Sequence, residues 1–311
     1  MRVVMLFDLP AIREAIQAAV PDADILTLPP PGQIASLGAV DAVLATPGAS
    51  QALSQLLARH PEIRWIHVLG TGIDDYPLEL LHGRQVTCSR GATTAPIAEW
   101  VMAMILAQAK NLPFSWVTQP PPHWCMAQLD TLEGKTLGIL GFGNIGQAIA
   151  RRALGFDMKV RVTMRTYRPA GMAGVESVTD IDELITTADH LVLALPATAL
   201  TEGLMSADRL SLMKRGSHLI NVSRGTLVDT RALREHLDSG QIARASLDVA
   251  NPEPLPAGHW LYQHPQVQLS PHISWNSPLS QQRMSEAFID NLLCFASGAE
   301  LNGVIDSQAG Y

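Results

Sequence analysis

An apolar segment, Leu137 to Leu140, runs straight into Gly141-Phe142-Gly143-Asn144-Ile145-Gly146, and helix-forming residues continue to Leu154. Three glycines at this spacing, between a strand and a helix, leave few folds open. Gly141 permits the tight turn, Gly143 lets the backbone approach a pyrophosphate, and Gly146 lets helix and strand pack closely. The helix would open with unpaired N–H groups and a partial positive charge facing the phosphates. The turn, with Phe142, Asn144 and Ile145 between its glycines, is therefore expected to bind a dinucleotide within a parallel α/β sheet.

The rest of the chain extends this pattern. Val3 to Phe7, Ala39 to Ala45 and Trp65 to Leu69 read as buried strands, with a helix at Ala11 to Val20. The helix from Ala95 to Lys110 is apolar nearly all round and is expected to be buried between domains or subunits. Four prolines between Leu112 and Asp130 predict an extended connection. A second alternating unit begins at Leu137, with strands at Lys159 to Met164, Leu191 to Leu195, His218 to Val222, Ala243 to Val249 and Val267 to Ser270. Helices fall at Ile181 to Thr186, Ala207 to Met213 and Thr230 to Ser239, and a last one at Leu279 to Ser297 is expected to return to the first unit.

A chain of 311 residues is too long for one ordinary core. The expected fold is α/β: two doubly wound parallel-sheet, Rossmann-like domains with an interdomain cleft. Residues 98–277 would form the dinucleotide-binding domain, and residues 1–97 with 278–311 a discontinuous substrate domain.

Charge and composition exclude several function classes. A net charge of −7 without a basic run argues against nucleic acid, whose phosphates demand clustered cations. Apolar runs fall far short of the ~20 residues that span a bilayer, and the start of the chain does not read as a signal peptide. Three scattered cysteines suggest reduced thiols, so a cytoplasmic location is expected, and the histidines show no metal-ligand spacing.

The strand after the glycines bears on which dinucleotide fits. An NAD site usually ends it with an acid about 20 residues past the glycines, to hold the ribose 2′-hydroxyl. Met164 stands there instead, followed by Arg165, Thr166 and Arg168. Guanidinium groups and a hydroxyl suit a 2′-phosphate, so NADP(H) is expected over NAD(H). Pro196 and Val222, which close two of the apolar strands, complete the candidate cofactor set.

Downstream, a cation, a carboxylate and an imidazole follow in order. Arg224 lies just past a buried strand and before Gly225, where a guanidinium can grip a carboxylate in two-point fashion. His272 also follows a strand, and its natural pKa suits it to donate and recover a proton. Glu253 sits between Pro252 and Pro254, in a stiff turn from which it can hold the imidazole and raise its pKa. Together they suit hydride transfer to a 2-oxo acid.

These segments resemble the D-isomer-specific 2-hydroxyacid dehydrogenase family, including glyoxylate/hydroxypyruvate reductases. The resemblance rests on Gly141 to Gly146, on Asn221-Val222-Ser223-Arg224-Gly225, and on Asp248 with Glu253-Pro254. It rests also on Ser270-Pro271-His272 and on the lead-in Leu132 to Ile139. It implies Arg224 as substrate clamp, His272 as general acid/base with Glu253 as partner, Asp248 near the nicotinamide carboxamide, and a homodimer paired through the cofactor domains. The family's substrate loop corresponds to Gly70, Thr71, Gly72 and Ile73, whose backbone N–H groups would bind a carboxylate. Trp275 is a candidate wall of the pocket. The expected activity is reduction of a small 2-oxo acid to the D-2-hydroxy acid with NADPH. The rivals are an NADP(H)-sensing binding protein on the same fold, and a dehydrogenase of another small anion such as formate or phosphite.

Overall fold

The computed structural model describes residues 1–74, 76, 78–125 and 128–306, and the chain divides into two compact units. The first holds residues 1–93 and the chain from Asn276 on; the second is Thr94–Trp275. Both are parallel α/β sheets, as the alternation of apolar segments predicts.

In the first unit the strands are β1 (Arg2–Met5), β2 (Asp24–Thr27), β3 (Ala42–Ala45), β4 (Trp65–Val68) and β5 (Gln85–Cys88), hydrogen-bonded in the order β2-β1-β3-β4-β5. All its pairings are parallel, and β3 and β4 are buried along their whole length, as strands covered on both faces must be. Its helices include α1 (Pro10–Ala19), α2 (Ser50–Arg59) and the short α3 (Leu78–Leu81). Helix α2 buries Leu53, Leu56 and Leu57, an i, i+3, i+4 stripe facing the sheet. The terminal helix of the chain, Pro278–Ser297, packs here: Phe288 stacks on Trp65 with ring centroids 5.4 Å apart, and Phe295 lies 5.1 Å from the same ring.

The second unit opens with α4 (Thr94–Ala109), then β6 (Thr136–Leu140), α5 (Asn144–Leu154), β7 (Lys159–Thr163), β8 (Val175–Ser177), α6 (Ile181–Thr187) and β9 (His190–Leu193). After these come α7 (Ala207–Leu212), β10 (Ser217–Asn221), α8 (Thr230–Asp238), β11 (Ile242–Leu247) and β12 (Val267–Leu269); the terminal helix of the first unit is α9. The seven strands run parallel in the order β12-β11-β10-β9-β6-β7-β8. Read outward from β8, this is the doubly wound nucleotide-binding order, and the direction of winding reverses between β6 and β9. Ligands of such sheets bind beyond the carboxyl ends of the strands at that switch point.

Helix α4 packs by one face within its own unit. Its sequence is apolar on every side, yet only Ile97, Ala98, Val101, Met102, Ile105 and Ala109 are buried, in one core cluster with β6 and α5. Glu99 and Ala103 are exposed, and Glu99 meets Arg152 of α5 at 3.1 Å. Among the described residues no helix is long and apolar enough to cross a membrane.

Candidate active site

Two of the three glycines after β6 are demanded by the protein itself. Gly141 has φ +99°, and a Cβ there would lie 2.5 Å from the Ala194 carbonyl oxygen; a Cβ on Gly146 would lie 2.2 Å from the Gly141 oxygen. A Cβ on Gly143 would face open space, so protein packing does not explain that glycine, whereas close approach of a ligand does. Gly143 caps α5 without any side-chain hydrogen bond, so the first N–H groups of this 11-residue helix face outward. Phe142 turns its ring into the core with α4, leaving its backbone to line the turn. These features fit a pyrophosphate.

The turn is held against β7, because Gly141 N–H donates to the Thr163 oxygen at 3.1 Å. Residues 164–168 therefore leave the sheet beside the glycines. Met164 packs partly into the core, while Arg165, Thr166 and Arg168 are exposed. On the other side of the switch point, β9 runs on to Leu195 and Pro196, and the Ser223 hydroxyl donates to the Leu195 oxygen.

Local hydrogen bonding sets Arg224 at the end of β10. Asn221 Oδ1 accepts from Ser223 N–H at 3.0 Å, and Asn221 Nδ2 donates to the Arg224 oxygen at 2.9 Å. Val222, between them, is buried. Gly225 then passes so near the next strand end that a Cβ would sit 2.0 Å from the Ala250 carbonyl carbon. Only glycine allows this contact, which brings the Arg224 turn against the loop carrying Glu253.

Glu253 lies in that loop after β11. Its Oε1 accepts from Ala250 N–H at 2.8 Å, and its Oε2 accepts from His272 Nδ1 at 2.8 Å. Burial works to raise the carboxyl's pKa. The hydrogen bonds from His272 and Ala250, with the charges of His272 and Arg224, outweigh it and hold Glu253 below the usual carboxylate range. With Nδ1 donating to Glu253, His272 keeps Nε2 for proton exchange, and the side chain is 39% exposed.

His272 has φ +56°, the left-handed region that a non-glycine residue occupies only when its surroundings impose it. Those surroundings are visible. Its N–H donates to the Asp248 oxygen at 2.8 Å, and its own oxygen accepts from Trp275 Nε1 at 2.8 Å. The Asp248 carboxylate, 1% exposed, accepts from the Ser270 hydroxyl at 2.5 Å and from the N–H groups of Ile273 and Ser274 at 2.9 Å. Asp248 thus anchors the turn that aims the imidazole, and Trp275 anchors it from the other side while packing against the α4–α5 core. Sequence reading singled out both residues but not this task. The readable signal was the pairing of Asp248 with Ser270, one residue past each of two adjacent parallel strands.

In the first unit, the loop after β4 begins at Gly70, φ +122°, whose oxygen accepts from Ser89 N–H at 2.9 Å. Ile73 is buried, Thr71 is exposed, and the N–H groups of Thr71, Gly72 and Ile73 meet no acceptor among the described residues. Among the described residues no group of His, Cys, Asp and Glu side chains is placed to hold a metal ion.

A glycine turn at the switch point of a doubly wound sheet, with an arginine and a glutamate–histidine pair at neighbouring strand ends, defines an oxidoreductase of the dinucleotide-binding class. The model of the D-isomer specific 2-hydroxyacid dehydrogenase NAD binding domain matches residues 102–274. A glyoxylate reductase of Thermococcus litoralis is 35% identical over 257 residues, 78% of this chain and 77% of that protein. Glyoxylate/hydroxypyruvate reductase B of Escherichia fergusonii is 32% identical, covering 81% of this chain and 79% of its own length. A crystal structure of a D-isomer specific 2-hydroxyacid dehydrogenase from Xanthobacter autotrophicus Py2, in complex with NADPH and MES, superposes with a TM-score of 0.82 at 27% identity, over 100% of this chain and 99% of that one. The chain belongs to the D-isomer-specific 2-hydroxyacid dehydrogenase family.

Proposed function

We propose that this enzyme reduces a small 2-oxo acid, of the glyoxylate or hydroxypyruvate kind, to the D-2-hydroxy acid with NADPH. The observation that carries the reading is the 2.8 Å contact of His272 with Glu253, within the field of Arg224. Arg224 holds the substrate carboxylate and polarises the adjacent carbonyl. His272, oriented by Glu253, delivers a proton from Nε2 to the carbonyl oxygen as the alcohol forms. The bound nicotinamide supplies the two-electron reduction of the carbonyl carbon. The N–H groups of Thr71, Gly72 and Ile73 form a further carboxylate-binding element in this proposal. Asp248 holds the His272 turn and keeps its place beside the nicotinamide carboxamide, with Pro196, Val222 and residues 141–146 around the rest of the cofactor.

The names of the relatives support the substrate class, since both are reductases of glyoxylate or hydroxypyruvate. The preference for NADPH rests on Met164 in the acid's place and on Arg165, Thr166 and Arg168 beside the glycines. Replacing Arg165 and Arg168 together with alanine is expected to raise KM for NADPH about 10- to 100-fold, the loss of one or two charge-assisted hydrogen bonds. KM for NADH should change less than threefold; an equal rise for both cofactors would contradict the assignment. We also propose a cytosolic homodimer, for which the exposed Phe114, Trp116, Val117 and Trp124 supply apolar surface.

The test is purified protein with glyoxylate, hydroxypyruvate, pyruvate and phenylpyruvate, against NADPH and NADH in parallel, followed at 340 nm. Rapid NADPH loss with one acid supports reaction and cofactor together. Silence across the panel with NADPH still bound overturns the substrate class.

A further inference from the structure

The amino-terminal ends of the second unit's strands carry polar groups that the reaction does not use. Parallel register places His190 of β9 beside His218 of β10, and His218 beside Arg244 of β11, so the three share one face of the sheet. Ser246 lies two residues past Arg244 on that face and pairs in register with Gln268 of β12. The row is hydrogen-bonded in one direction. The Ser246 hydroxyl donates to Gln268 Oε1 at 2.9 Å, so its oxygen accepts from His218 Nε2 at 2.8 Å. His218 Nδ1 then carries a lone pair and accepts from His190 Nδ1 at 3.3 Å. His190 is left with Nε2 as an acceptor that has no partner among the described residues.

That histidine lines a cavity of about 120 Å³ with Gln108, Lys135, Arg215, Ser217 and His218, roomy enough for a phosphate-sized ion. Two carboxylates also line it, but both are committed. Asp130 meets Lys135 at 2.8 Å and the Thr131 N–H at 2.8 Å; Asp189 meets Lys214 at 2.6 Å and the Thr136 N–H at 2.8 Å. The unfilled capacity is mostly that of donors. Arg215 is exposed and makes no ion pair among the described residues. The Ser217 hydroxyl, in a residue only 3% exposed, has no hydrogen-bond partner among the described residues, a costly state for a buried polar group. Lys110 reaches the Asp130 oxygen at 2.7 Å, and Arg244 stands behind His218. Lys135 and Arg215 line the cavity against the two carboxylates, and Lys110, Lys214 and Arg244 stand just behind its walls, so cations outnumber carboxylates around it within a chain of net charge −7. A cavity of this sign favours an anion.

We propose that this cavity is a second binding site, for a small tetrahedral oxyanion held by Arg215, Ser217, Lys135 and His190 and linked to uptake of one proton. The linkage follows from the hydrogen-bond row. A neutral His190 turns a lone pair to the ion, so binding requires a proton either on Nε2 or on the ligand. Burial, opposed by Asp189 and Asp130 and assisted by Lys135, lowers the free His190 pKa to about 4, so the His190 ring of the unliganded site is neutral at pH 7. An anion against Nε2 raises it.

Calorimetric titration of the full-length protein with sodium sulfate tests this, at constant ionic strength and with saturating NADPH to fill the glycine turn. Sulfate carries no proton of its own at these pH values, so it must draw one onto His190. One saturable event is expected, tightening up to tenfold from pH 7 to pH 6, whereas phosphate, which can bring its own proton, should show the weaker dependence. Arg215→Gln should weaken sulfate at least fivefold and Ser217→Ala at least twofold, while Arg224→Gln leaves it unchanged. Ser217→Ala should melt no lower than the parent in sulfate-free buffer, because it removes an unsatisfied hydroxyl rather than a bond. Absence of saturable heat, a pH-independent affinity, loss of the event in Arg224→Gln, or affinity unaltered by both cavity substitutions would each overturn the proposal.

Discussion

Alanine in place of His272 is expected to lower turnover about 10²- to 10⁴-fold, the range for loss of a positioned general acid. Cofactor affinity should remain within twofold, measured by energy transfer from tryptophan to the bound reduced nicotinamide. The expectation rests on separable anchors. The glycine turn is held by Thr163 and by close packing against Ala194, neither of which involves the imidazole. The His272 turn is fixed by the Asp248 carboxylate through Ser270, Ile273 and Ser274, so truncating the side chain leaves its backbone supports in place. Added imidazole should recover part of the rate. Unchanged turnover in the variant would remove His272 from the mechanism.

Glu253→Gln separates positioning from proton transfer. The amide can still accept from Nδ1 but supplies no charge, so the imidazolium loses its counter-ion. A smaller fall in kcat than in His272→Ala is expected, and the acid limb set by protonation of Glu253 should vanish from the pH–rate profile. In the parent enzyme Glu253 stays ionised below the usual carboxylate range, so the pair survives mild acid; its contribution fails only as pH falls through that lowered value. A profile identical in the two proteins would remove Glu253 from its proposed role.

The parts of this enzyme that could be read from sequence are those whose physics is local. A strand, three glycines and a helix form one contiguous signal, and Leu191 to Leu195 or His218 to Val222 are apolar runs that only a covered strand explains. Helix α2 was missed although its Leu53, Leu56 and Leu57 stripe is local, and the strands missed were short or peripheral. Strand β2 fully buries only Ile25, β5 is four residues at a sheet edge, and β8 is three residues with no buried side chain. Their existence depends on a neighbour already in place rather than on their own pattern. The reactive residues could be nominated one by one, because each follows a strand. Their convergence could not be read, since it depends on Gly225 closing against Ala250 and on Asn221 shaping the Arg224 turn. The His190–His218 row was invisible for the same reason: 28 residues separate the rings, and only the register of β9 with β10 joins them.

Those buried histidines predict a steep acid sensitivity that begins well above the carboxylate range. In the first unit His67 is buried between Thr87 and Ser89, with ring nitrogens 2.8 and 3.1 Å from the two hydroxyls, and burial lowers its pKa to about 3. In the second, burial lowers His190 to about 4, and burial with the neighbouring His190 and Arg244 lowers His218 well below its ordinary value. In each case the folded pKa is depressed below the unfolded value of about 6.5, so between these limits the unfolded chain binds protons that the native one refuses. Stability is therefore full above about pH 6.5 and falls as pH drops below it, by up to about 1.4 kcal/mol per pH unit for each ring. By pH 4.5, His67 and His190 should each have removed roughly 2 to 3 kcal/mol from their own units, a large share of a typical unfolding free energy. Urea unfolding in chloride buffers at pH 7, 5.5 and 4.5 would measure the loss, with the two units followed separately because they need not unfold together. His67→Gln should flatten the slope of the first unit's transition by about one proton, and His190→Gln that of the second. Stability constant between pH 6.5 and 5, or slopes unaltered in both variants, would show that these rings accept protons without unfolding and that their burial is not what sets the acid limit.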